Sequence, residues 1–409
     1  MNKRYIIRKE GFGGLVHDKG EFNLFCVDDF GYEIIKRIYE FGVEGMLHFY
    51  HNDSKEVYTN ILEYVDILKE NDVINQNYLN GSIIEILPTK NALSAPVKVF
   101  LSITDYCNLK CKHCFGDYGQ GSQMSFDRVA EIVQQLKEVG VFEVSLTGGE
   151  PLLHPDLYKI IELLIDSGIN IQICTNGTVI TDEFIDIVKQ YKNHFLRLSI
   201  SIDGIPEVHD RIRGTGTYNK IMSNIKILQK HNIDFGFNLV LNNLNVWTIK
   251  EFLNIMYDRG IHRGSFSPIK PVGRAKNTSL NFRKGNKFNT DWKEMVINEI
   301  KNFAHKTGNN QFLYGHLITP EGKVTQPVGD NLMGFLQAKR CGAGIINASI
   351  AADGKVLPCT FLSEVFKKRE IPSESVFNKN FKEIWDKNEQ FLFMRTLEIG
   401  SKCKYCEEY

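Results

Sequence analysis

Three cysteines close together in the sequence have the residue type and spacing to bind a metal centre. Cys107, Cys111 and Cys114 are spaced C-x3-C-x2-C, and they follow an apolar run at 97–103 that predicts a buried strand. A short loop after a strand can hold three thiolates around one point. Iron–sulfur clusters usually take four cysteine ligands, so three would leave one iron open to an outside ligand.

Zinc binding and plain burial are the two other interpretations of these cysteines. Zinc usually takes four ligands, and His113 lies inside the loop as a possible fourth. Cysteines can also be unreactive thiols in a protein core. The spacing favours an iron–sulfur cluster over zinc and over buried thiols, and motifs elsewhere in the sequence provide further evidence.

A second group of cysteines lies towards the C-terminus, with the spacing C-x17-C, a gap of 43 residues, and C-x2-C. Its members are Cys341, Cys359, Cys403 and Cys406. Residues 353–359, with Asp353 and Gly354 at the turn, predict a tight hairpin that brings the second cysteine beside the first. Four thiolates could hold tetrahedral zinc or a fully ligated iron–sulfur cluster, and the spacing alone does not decide between them.

Strand and helix patterns alternate from residue 97 onwards. The predicted strands are 97–103, 142–147, 169–174, 196–202, 235–241 and 261–267, and the helices between them include 125–139 and 156–167. This alternation predicts a parallel sheet in an α/β fold. Six units are too few for a closed barrel of eight strands.

Short polar motifs stand at the carboxyl ends of these strands, where parallel barrels keep their working residues. They are Leu-Thr-Gly-Gly-Glu-Pro at 146–151, Cys-Thr-Asn-Gly at 174–177, Leu-Ser-Ile-Ser-Ile-Asp-Gly at 198–204 and His-Asp-Arg-Ile-Arg-Gly at 209–214. Together with the cysteine loop, these motifs resemble the radical S-adenosylmethionine (radical SAM) superfamily. The resemblance covers roughly residues 97–270.

The resemblance implies an open six-unit (β/α)6 partial TIM barrel that binds a 4Fe–4S cluster. In that family the open iron chelates the methionyl amino and carboxylate groups of SAM. One electron, from a donor such as flavodoxin or ferredoxin, then cleaves SAM to a 5′-deoxyadenosyl radical, which abstracts a hydrogen atom from the substrate. The catalytic cluster would be ligated by Cys107, Cys111 and Cys114.

The resemblance also implies the residues that contact SAM. The backbone and carboxylate around Gly148, Gly149 and Glu150 would receive the SAM amino group, because a carboxylate suits an ammonium by charge. Arg213 lies where a guanidinium can pair with the SAM carboxylate. The positions that contact the ribose and methionyl parts are Thr175, Asn176, Ser201 and Asp203.

Two further elements match the family outside the barrel strands. The second cysteine group resembles the shortened "twitch" form of the SPASM extension, which carries one auxiliary 4Fe–4S cluster with four protein ligands. Such a cluster would carry electrons or order the fold. The segment 271–275, Pro-Val-Gly-Arg-Ala, resembles a glycine–arginine element of members with a C-terminal extension, and the sequence assigns it no role.

The N-terminal part predicts a separate small domain. Short strands are predicted at 5–7, 14–17 and 22–27, and helices at 32–39, 43–49 and 55–71, which is the order of a winged helix-turn-helix. Residues 42–72 carry seven acidic residues against two lysines, so DNA binding is disfavoured. The domain resembles the precursor-recognition element of peptide-modifying enzymes, in which a leader peptide adds a strand to the sheet.

These patterns predict five segments along the chain. The N-terminal domain comprises 1–85, followed by a linker at 86–96. The Asn-rich stretch 72–96 as a whole is predicted to be linker-like, and only 83–87 within it could form a strand. The remaining segments are the barrel at 97–275, a connecting region at 276–335 with an amphipathic helix at 291–305, and the auxiliary-cluster domain at 336–409.

The composition excludes few classes of protein function. The 409 residues carry 49 Lys+Arg and 49 Asp+Glu, so net charge gives no sign of a nucleic-acid partner. No apolar stretch is long enough for a membrane span and no signal-peptide core is present, which predicts a cytoplasmic protein without a membrane partner. Cysteines there stay reduced, and Cys26 and Cys174, outside both groups, are expected to be buried free thiols.

The leading hypothesis is therefore a radical SAM enzyme that modifies a ribosomally made precursor peptide. Its reaction would be a thioether or carbon–carbon cross-link, or an epimerisation. The alternative is a radical SAM dehydrogenase or cofactor-biosynthesis enzyme with a small-molecule substrate, which would need no leader-binding sheet. An iron–sulfur or zinc regulator with a winged helix is the non-enzymatic alternative, and the acidic helices argue against it.

Overall fold

The computed structural model describes residues 4–21, 23–116, 118–284, 287–288, 291–308, 312–313 and 342–396. Three of the four cysteines of the second group, Cys341, Cys403 and Cys406, lie outside these ranges. Within them, no helix combines the length and the apolar character that crossing a membrane requires.

Residues 5–84 form a small sheet with two helices. The elements are β1 (Tyr5–Glu10), β2 (Gly13–Asp18), β3 (Asn23–Val27), α1 (Asp29–Tyr50), α2 (Lys55–Glu70), β4 (Ile74–Asn75), β5 (Tyr78–Leu79) and β6 (Gly81–Ile84). Strands β1, β2 and β3 are antiparallel, and β6 pairs in parallel with β1, which gives the order β3-β2-β1-β6. The predicted order of strands followed by helices is confirmed, whereas the winged-helix assignment stays a prediction.

Helix α1 is interrupted where the sequence predicts the gap between two helices. Gly42 has φ 73° and ψ 173°, outside the helical region. A Cβ atom there would stand 2.8 Å from the Asn77 side chain, so glycine is needed for both conformation and space. The helix begins at Asp29, three residues before the predicted start, because the Asp28 carboxylate accepts a 2.7 Å hydrogen bond from the Gly31 N–H.

The prediction of a largely unstructured linker after α2 is wrong for residues 74–84. These residues form β4, β5 and β6, and the side chains of Val73 and Ile74 are buried in the core of the small sheet. The strand is Gly81–Ile84, whereas the sequence predicted one at 83–87. Its stability comes from parallel pairing with β1, more than 70 residues earlier, which no local pattern reveals.

The six predicted strands of the barrel are confirmed within three residues at each end. They are β7 (Lys98–Thr104), β8 (Glu143–Gly148), β9 (Asn170–Thr175), β10 (Phe195–Ser201), β11 (Phe235–Leu241) and β12 (Gly264–Pro268). The helices are α3 (Phe126–Glu138), α4 (Leu157–Asp166), α5 (Asp182–Gln190), α6 (Pro206–Arg213), α7 (Thr217–Lys230) and α8 (Ile249–Asp258). Neighbouring strands pair in parallel, and alternate side chains such as Val99, Leu101 and Ile103 are buried in the main core.

The remaining elements extend both ends of this sheet. They are β13 (Arg283–Lys284), β14 (Lys287–Phe288), α9 (Asp291–Thr307), β15 (Phe312–Leu313), β16 (Asn347–Ile350), β17 (Lys355–Leu357), α10 (Ser363–Lys368), β18 (Glu374–Ser375), α11 (Phe381–Lys387) and α12 (Glu389–Thr396). Strand β15 pairs with β12, and β16 pairs in parallel with β7. The sheet is therefore open between β7 and β12, and the C-terminal region is joined to it through β16.

Two local predictions for these regions are confirmed. Helix α9 covers the predicted 291–305, and it buries Trp292, Val296 and Ile300 against the barrel. Strands β16 and β17 form the predicted hairpin, whose turn has Gly354 at φ 80°.

The N-terminal sheet is fixed to the barrel by one buried charged side chain. Arg8 of β1 is 0% exposed, and it pairs with Glu10 at 2.8 Å. Its guanidinium also donates to the carbonyls of Ala95 at 2.7 Å, Pro96 at 3.2 Å and Gly140 at 2.7 Å. Residues 95–96 precede β7 and residue 140 precedes β8, so the N-terminal sheet covers the amino ends of the barrel strands.

We expect Arg8→Met to lower the free energy of unfolding by about 3–5 kcal/mol, because the buried Glu10 would lose its partner. Denaturant titration followed by circular dichroism measures this change. The double variant with Glu10→Gln should recover part of the loss, since no unpaired charge remains. A loss below about 1 kcal/mol in the single variant, the range of exposed ion pairs, would contradict the account.

Candidate active site

The cysteine loop begins directly after β7 and is held by neighbouring strand ends. The Cys111 side chain is buried, and those of Cys107 and Cys114 are half-buried. The Leu109 N–H points at the Cys107 sulfur at 3.5 Å, and the Lys112 N–H donates to the Ile212 carbonyl at 3.0 Å. The predicted position of these residues, at the carboxyl end of the first barrel strand, is confirmed.

The three thiols lie near one another in the loop after β7. Burial raises the pKa of Cys111 to about 11, and the nearby Cys114 and Cys107 thiols add to the increase against the effect of Arg213. Three neighbouring thiols fit the ligand set of an iron–sulfur cluster, in which each cysteine would bind one iron.

The Gly148-Gly149-Glu150 motif lies against the start of the cysteine loop. A Cβ atom on Gly149 would stand 2.1 Å from the Tyr106 carbonyl oxygen, and one on Gly148 would stand 2.2 Å from the Thr104 oxygen. The Gly149 N–H donates to Thr104 O and the Glu150 N–H to Tyr106 O, both at 2.7 Å. The two glycines thus permit β8 to pair closely with the segment that leads into the loop.

The Glu150 carboxylate joins β8 to β9. It is fully buried and accepts hydrogen bonds from Thr175 Oγ1 and the Asn176 N–H, both at 2.7 Å, and from the Leu152 N–H at 3.1 Å. Burial raises its pKa to about 6 against these donors. Three of roughly four acceptor positions are used, so direct contact with the SAM amino group through this carboxylate stays a prediction.

Asn176 supports the cysteine loop from the end of β9. Its amide donates to Asn108 Oδ1 at 2.8 Å, and Asn108 donates to Thr178 Oγ1 at 2.8 Å. The Asn176 side chain also bonds to Cys107 and lowers the pKa of that thiol, although burial outweighs the effect. Asn108 is therefore a positioning residue, and no motif in the sequence singles it out.

Asp203 is the centre of a second buried network. Its Oδ2 lies 2.5 Å from Arg213 Nε and 2.9 Å from His113 Nε2, and its Oδ1 accepts from the Val240 N–H at 2.9 Å. Burial disfavours ionisation, but Arg213 and His113 outweigh it and hold the pKa of Asp203 well below its ordinary value. The contact with Asp203 occupies His113 Nε2.

Arg213 reaches from Asp203 to the cysteine loop, with its Nη1 3.9 Å from the Cys111 sulfur. Ser201, the last residue of β10, lies half-buried opposite Asn238 of β11. The structure therefore brings most of the predicted SAM contacts to the loop or to the residues that lead into it, namely Gly148, Gly149, Glu150, Asn176, Asp203 and Arg213. The SAM-binding roles of all these residues stay predictions.

Cys359 is the one described member of the second cysteine group, and it lies close to the first group. It follows the β16–β17 hairpin and is half-buried. Phe361, two residues later, packs edge to face against Phe115, with ring centroids 5.0 Å apart. Phe115 directly follows Cys114, so the segment around Cys359 lies beside the end of the cysteine loop.

Family profiles match two parts of this chain. Residues 101–256 match the radical SAM superfamily, and residues 341–407 match the iron–sulfur cluster-binding domain named SPASM. The chain therefore contains a radical SAM domain and a SPASM domain. Its cofactors are SAM and two 4Fe–4S clusters, one that binds SAM and one auxiliary. When bound, they supply a radical that removes a hydrogen atom from a substrate.

Relatives of known function act on different substrates. The chain is 27% identical over 320 residues to the AdoMet-dependent heme synthase of Oleidesulfovibrio alaskensis, which covers 75% of this chain and 78% of that protein. It is 26% identical over 298 residues to AlbA, the antilisterial bacteriocin subtilosin biosynthesis protein of Bacillus subtilis, over 70% of this chain and 61% of that protein.

Solved structures include one match along nearly the whole chain. Streptococcus suis SuiB bound to S-adenosylmethionine has a TM-score of 0.73 at 19% identity, and covers 99% of this chain and 92% of that chain. SuiB has also been solved bound to its precursor peptide SuiA, with a TM-score of 0.72. The similarity establishes the fold, and its coverage includes the N-terminal sheet.

We expect Arg213→Gln to weaken SAM binding by roughly one to two orders of magnitude, since a charge-assisted pair is worth about 1.5–3 kcal/mol. Iron content should stay unchanged, and equilibrium dialysis with SAM measures the affinity. Arg211→Gln is the matched control, because Arg211 lies on the same helix and is exposed. Wild-type affinity in the Arg213 variant would show that another residue pairs with the SAM carboxylate.

Proposed function

We propose that this radical SAM enzyme modifies a ribosomally made precursor peptide whose leader segment binds to the N-terminal sheet. Reductive cleavage of SAM, with one electron from a donor such as flavodoxin or ferredoxin, gives methionine and a 5′-deoxyadenosyl radical. That radical takes a hydrogen atom from the peptide and leaves as 5′-deoxyadenosine. A thioether or carbon–carbon cross-link then requires loss of one further electron, which the auxiliary cluster would accept, and of one proton. Epimerisation requires instead that a hydrogen-atom donor returns a hydrogen atom to the peptide radical.

The free edge of the N-terminal sheet is the observation that carries the proposal. In the order β3-β2-β1-β6, β3 pairs on one side only with a described strand. Its residues are exposed or half-buried, and no proline blocks it. An extended peptide can therefore continue the sheet through backbone hydrogen bonds, as in β-augmentation.

A cavity at this edge gives the leader a second surface. It has a volume of about 300 Å³ and lies between Asn23 and Phe25 of β3 and Glu70 and Asn71 at the end of α2. A strand placed beside β3 would thus also contact the helix. The acidic residues of α2, namely Glu56, Glu63, Asp66 and Glu70, are exposed, which opposes nucleic acid as the occupant.

A larger cavity of about 600 Å³ beside the cysteine loop is the candidate site for the modified part of the peptide. It is lined by Ser102 and Tyr118 on the barrel side and by Lys355, Leu357 and Thr360 in and after the hairpin strand β17. The segment that follows Cys114 and the segment around Cys359 therefore border the same space. A peptide residue bound there would be near the atoms that generate the radical.

A small-molecule substrate is the second candidate, and the match to heme synthases supports it. Those sequence matches cover 75% and 77% of this chain, about the same share as the match to AlbA, at 70%. The N-terminal sheet is the feature that favours a peptide, because a small substrate needs no strand-pairing edge.

Co-expression with each short peptide encoded beside the gene, followed by mass spectrometry, tests the proposal. A cross-link removes two hydrogen atoms per event, whereas epimerisation leaves the mass unchanged and alters the chirality of one residue. Unmodified peptides in every case, together with turnover of a small molecule, would favour the second candidate.

A further inference from the structure

The segment after the last barrel strand reaches back to the loop after the first. Strands β7 and β12 are at opposite ends of the six-strand set and do not pair with each other. After β12 the chain turns at Pro271 and passes beside the cysteine loop as a short 3-10 helix, Gly273–Asn277. Contacts of this segment therefore connect the two ends of an open barrel.

The backbone of Gly273 and Arg274 lies directly against the cysteine loop. The Arg274 N–H donates to the Cys114 carbonyl at 2.9 Å. Gly273 has φ 57°, and a Cβ atom there would stand 2.2 Å from Phe115 O and 2.7 Å from Cys114 O. Only glycine permits this approach, because a methyl group would push the loop away.

The Arg274 side chain binds the other part of the loop. Its Nε donates to the Cys111 carbonyl at 3.0 Å, and its Nη1 donates to the Tyr118 carbonyl at 2.9 Å. Together with the backbone bond, one residue holds three carbonyls spread over residues 111–118. A planar guanidinium can do this because its donors point in fixed, divergent directions, which a lysine ammonium cannot reproduce.

We infer that Gly273 and Arg274 are positioning residues that hold Cys111 and Cys114 in the arrangement that ligates the catalytic cluster. The fork of Arg274 fixes the peptide planes next to both cysteines, and the glycine lets the segment come close enough. The segment also places a positive charge beside the cluster site, which favours the reduced and more negative state of a cluster.

Substitution of Arg274 tests this inference without relying on turnover. We expect the Arg274→Gln variant to release iron from the catalytic cluster to a chelator at least tenfold faster than the wild type does. The slower release of iron from the auxiliary cluster should not change. Addition of SAM should no longer give the wild-type shift in the electron paramagnetic resonance spectrum of the reduced catalytic cluster, and its midpoint potential should become more negative. Arg274→Lys should keep the wild-type midpoint potential, because the positive charge remains. It should still release iron fast, because lysine lacks the divergent donors of the guanidinium.

Gly273→Ala provides an independent variant that keeps Arg274. It should give the same fast iron release, since the added methyl group meets Phe115 O. Arg211→Gln, which removes an exposed charge from α6, is the control and should match the wild type. Retention of the auxiliary cluster signal shows that each variant is folded. Release rates within twofold of the wild type in both Arg274→Gln and Gly273→Ala would overturn the inference, as would loss of both clusters at equal rates.

Discussion

Replacing Cys107, Cys111 and Cys114 together by alanine is expected to abolish reductive cleavage of SAM while about four irons per chain remain bound. The three residues are the predicted ligands of the catalytic cluster after β7, and the SPASM match at 341–407 contains all four predicted ligands of the auxiliary cluster. The auxiliary cluster should therefore keep its ligands. Iron analysis and chromatographic detection of 5′-deoxyadenosine measure the two outcomes.

The matched control is Cys26→Ala, which removes a half-buried thiol of β3 in the N-terminal sheet. That variant should keep both clusters, or about eight irons, and full SAM cleavage. Complete loss of iron from the triple variant would mean that the C-terminal cysteines hold no cluster of their own. Remaining SAM cleavage would mean that the loop after β7 does not ligate the catalytic cluster.

Removal of the leader from the precursor should lower turnover at micromolar peptide by about 10²–10³-fold. A docked leader holds the core peptide near the active site at a roughly millimolar effective concentration. Adding the leader as a separate chain should not restore the rate, because it no longer tethers the core. Steady-state rates with full-length peptide, core alone and core plus leader measure the effect, and equal rates would contradict leader docking.

The structure adds a length requirement to this prediction. The N-terminal sheet covers the amino ends of the barrel strands, whereas the cysteine loop follows their carboxyl ends. Strand β7 has seven residues, about 23 Å at about 3.3 Å per residue. The peptide therefore needs at least about seven extended residues between the docked leader and the modified residue.

Shortening this spacer below that length should abolish turnover without changing leader affinity, measured by fluorescence anisotropy. A scan of proline through the leader separates strand pairing from other docking modes. Affinity should fall at every second position, because alternate N–H groups face β3. A uniform effect would indicate a different binding mode.

The parts of the fold that follow local patterns could be predicted from the sequence. Buried parallel strands are continuous apolar runs, so β7 to β12 were found within three residues, and Gly42 marked the break in α1. Strand β6 was misplaced because its stability depends on a distant partner, β1. Local propensity contains no information about a pairing partner that is distant in the sequence.

Prediction of the site was limited in the same way, because local patterns do not reveal contacts between residues that are distant in the sequence. The cysteine spacing and the strand-end motifs located the loop and its neighbours correctly. The contacts of His113 with Asp203 and of Arg274 with the loop carbonyls join residues from 90 to more than 150 positions apart. The buried pair of Arg8 and Glu10 looks like an ordinary charged strand in the sequence, and only its surroundings show that it holds two sheets together.

Deuterium transfer tests the central claim most directly. The reduced enzyme, with both clusters, is mixed with SAM and a precursor peptide deuterated at its carbon atoms, and 5′-deoxyadenosine is analysed by mass spectrometry. The account predicts that 5′-deoxyadenosine gains deuterium in step with peptide modification, because the radical takes its hydrogen atom from the peptide. Formation of 5′-deoxyadenosine without deuterium, at a rate that the peptide does not change, would contradict it.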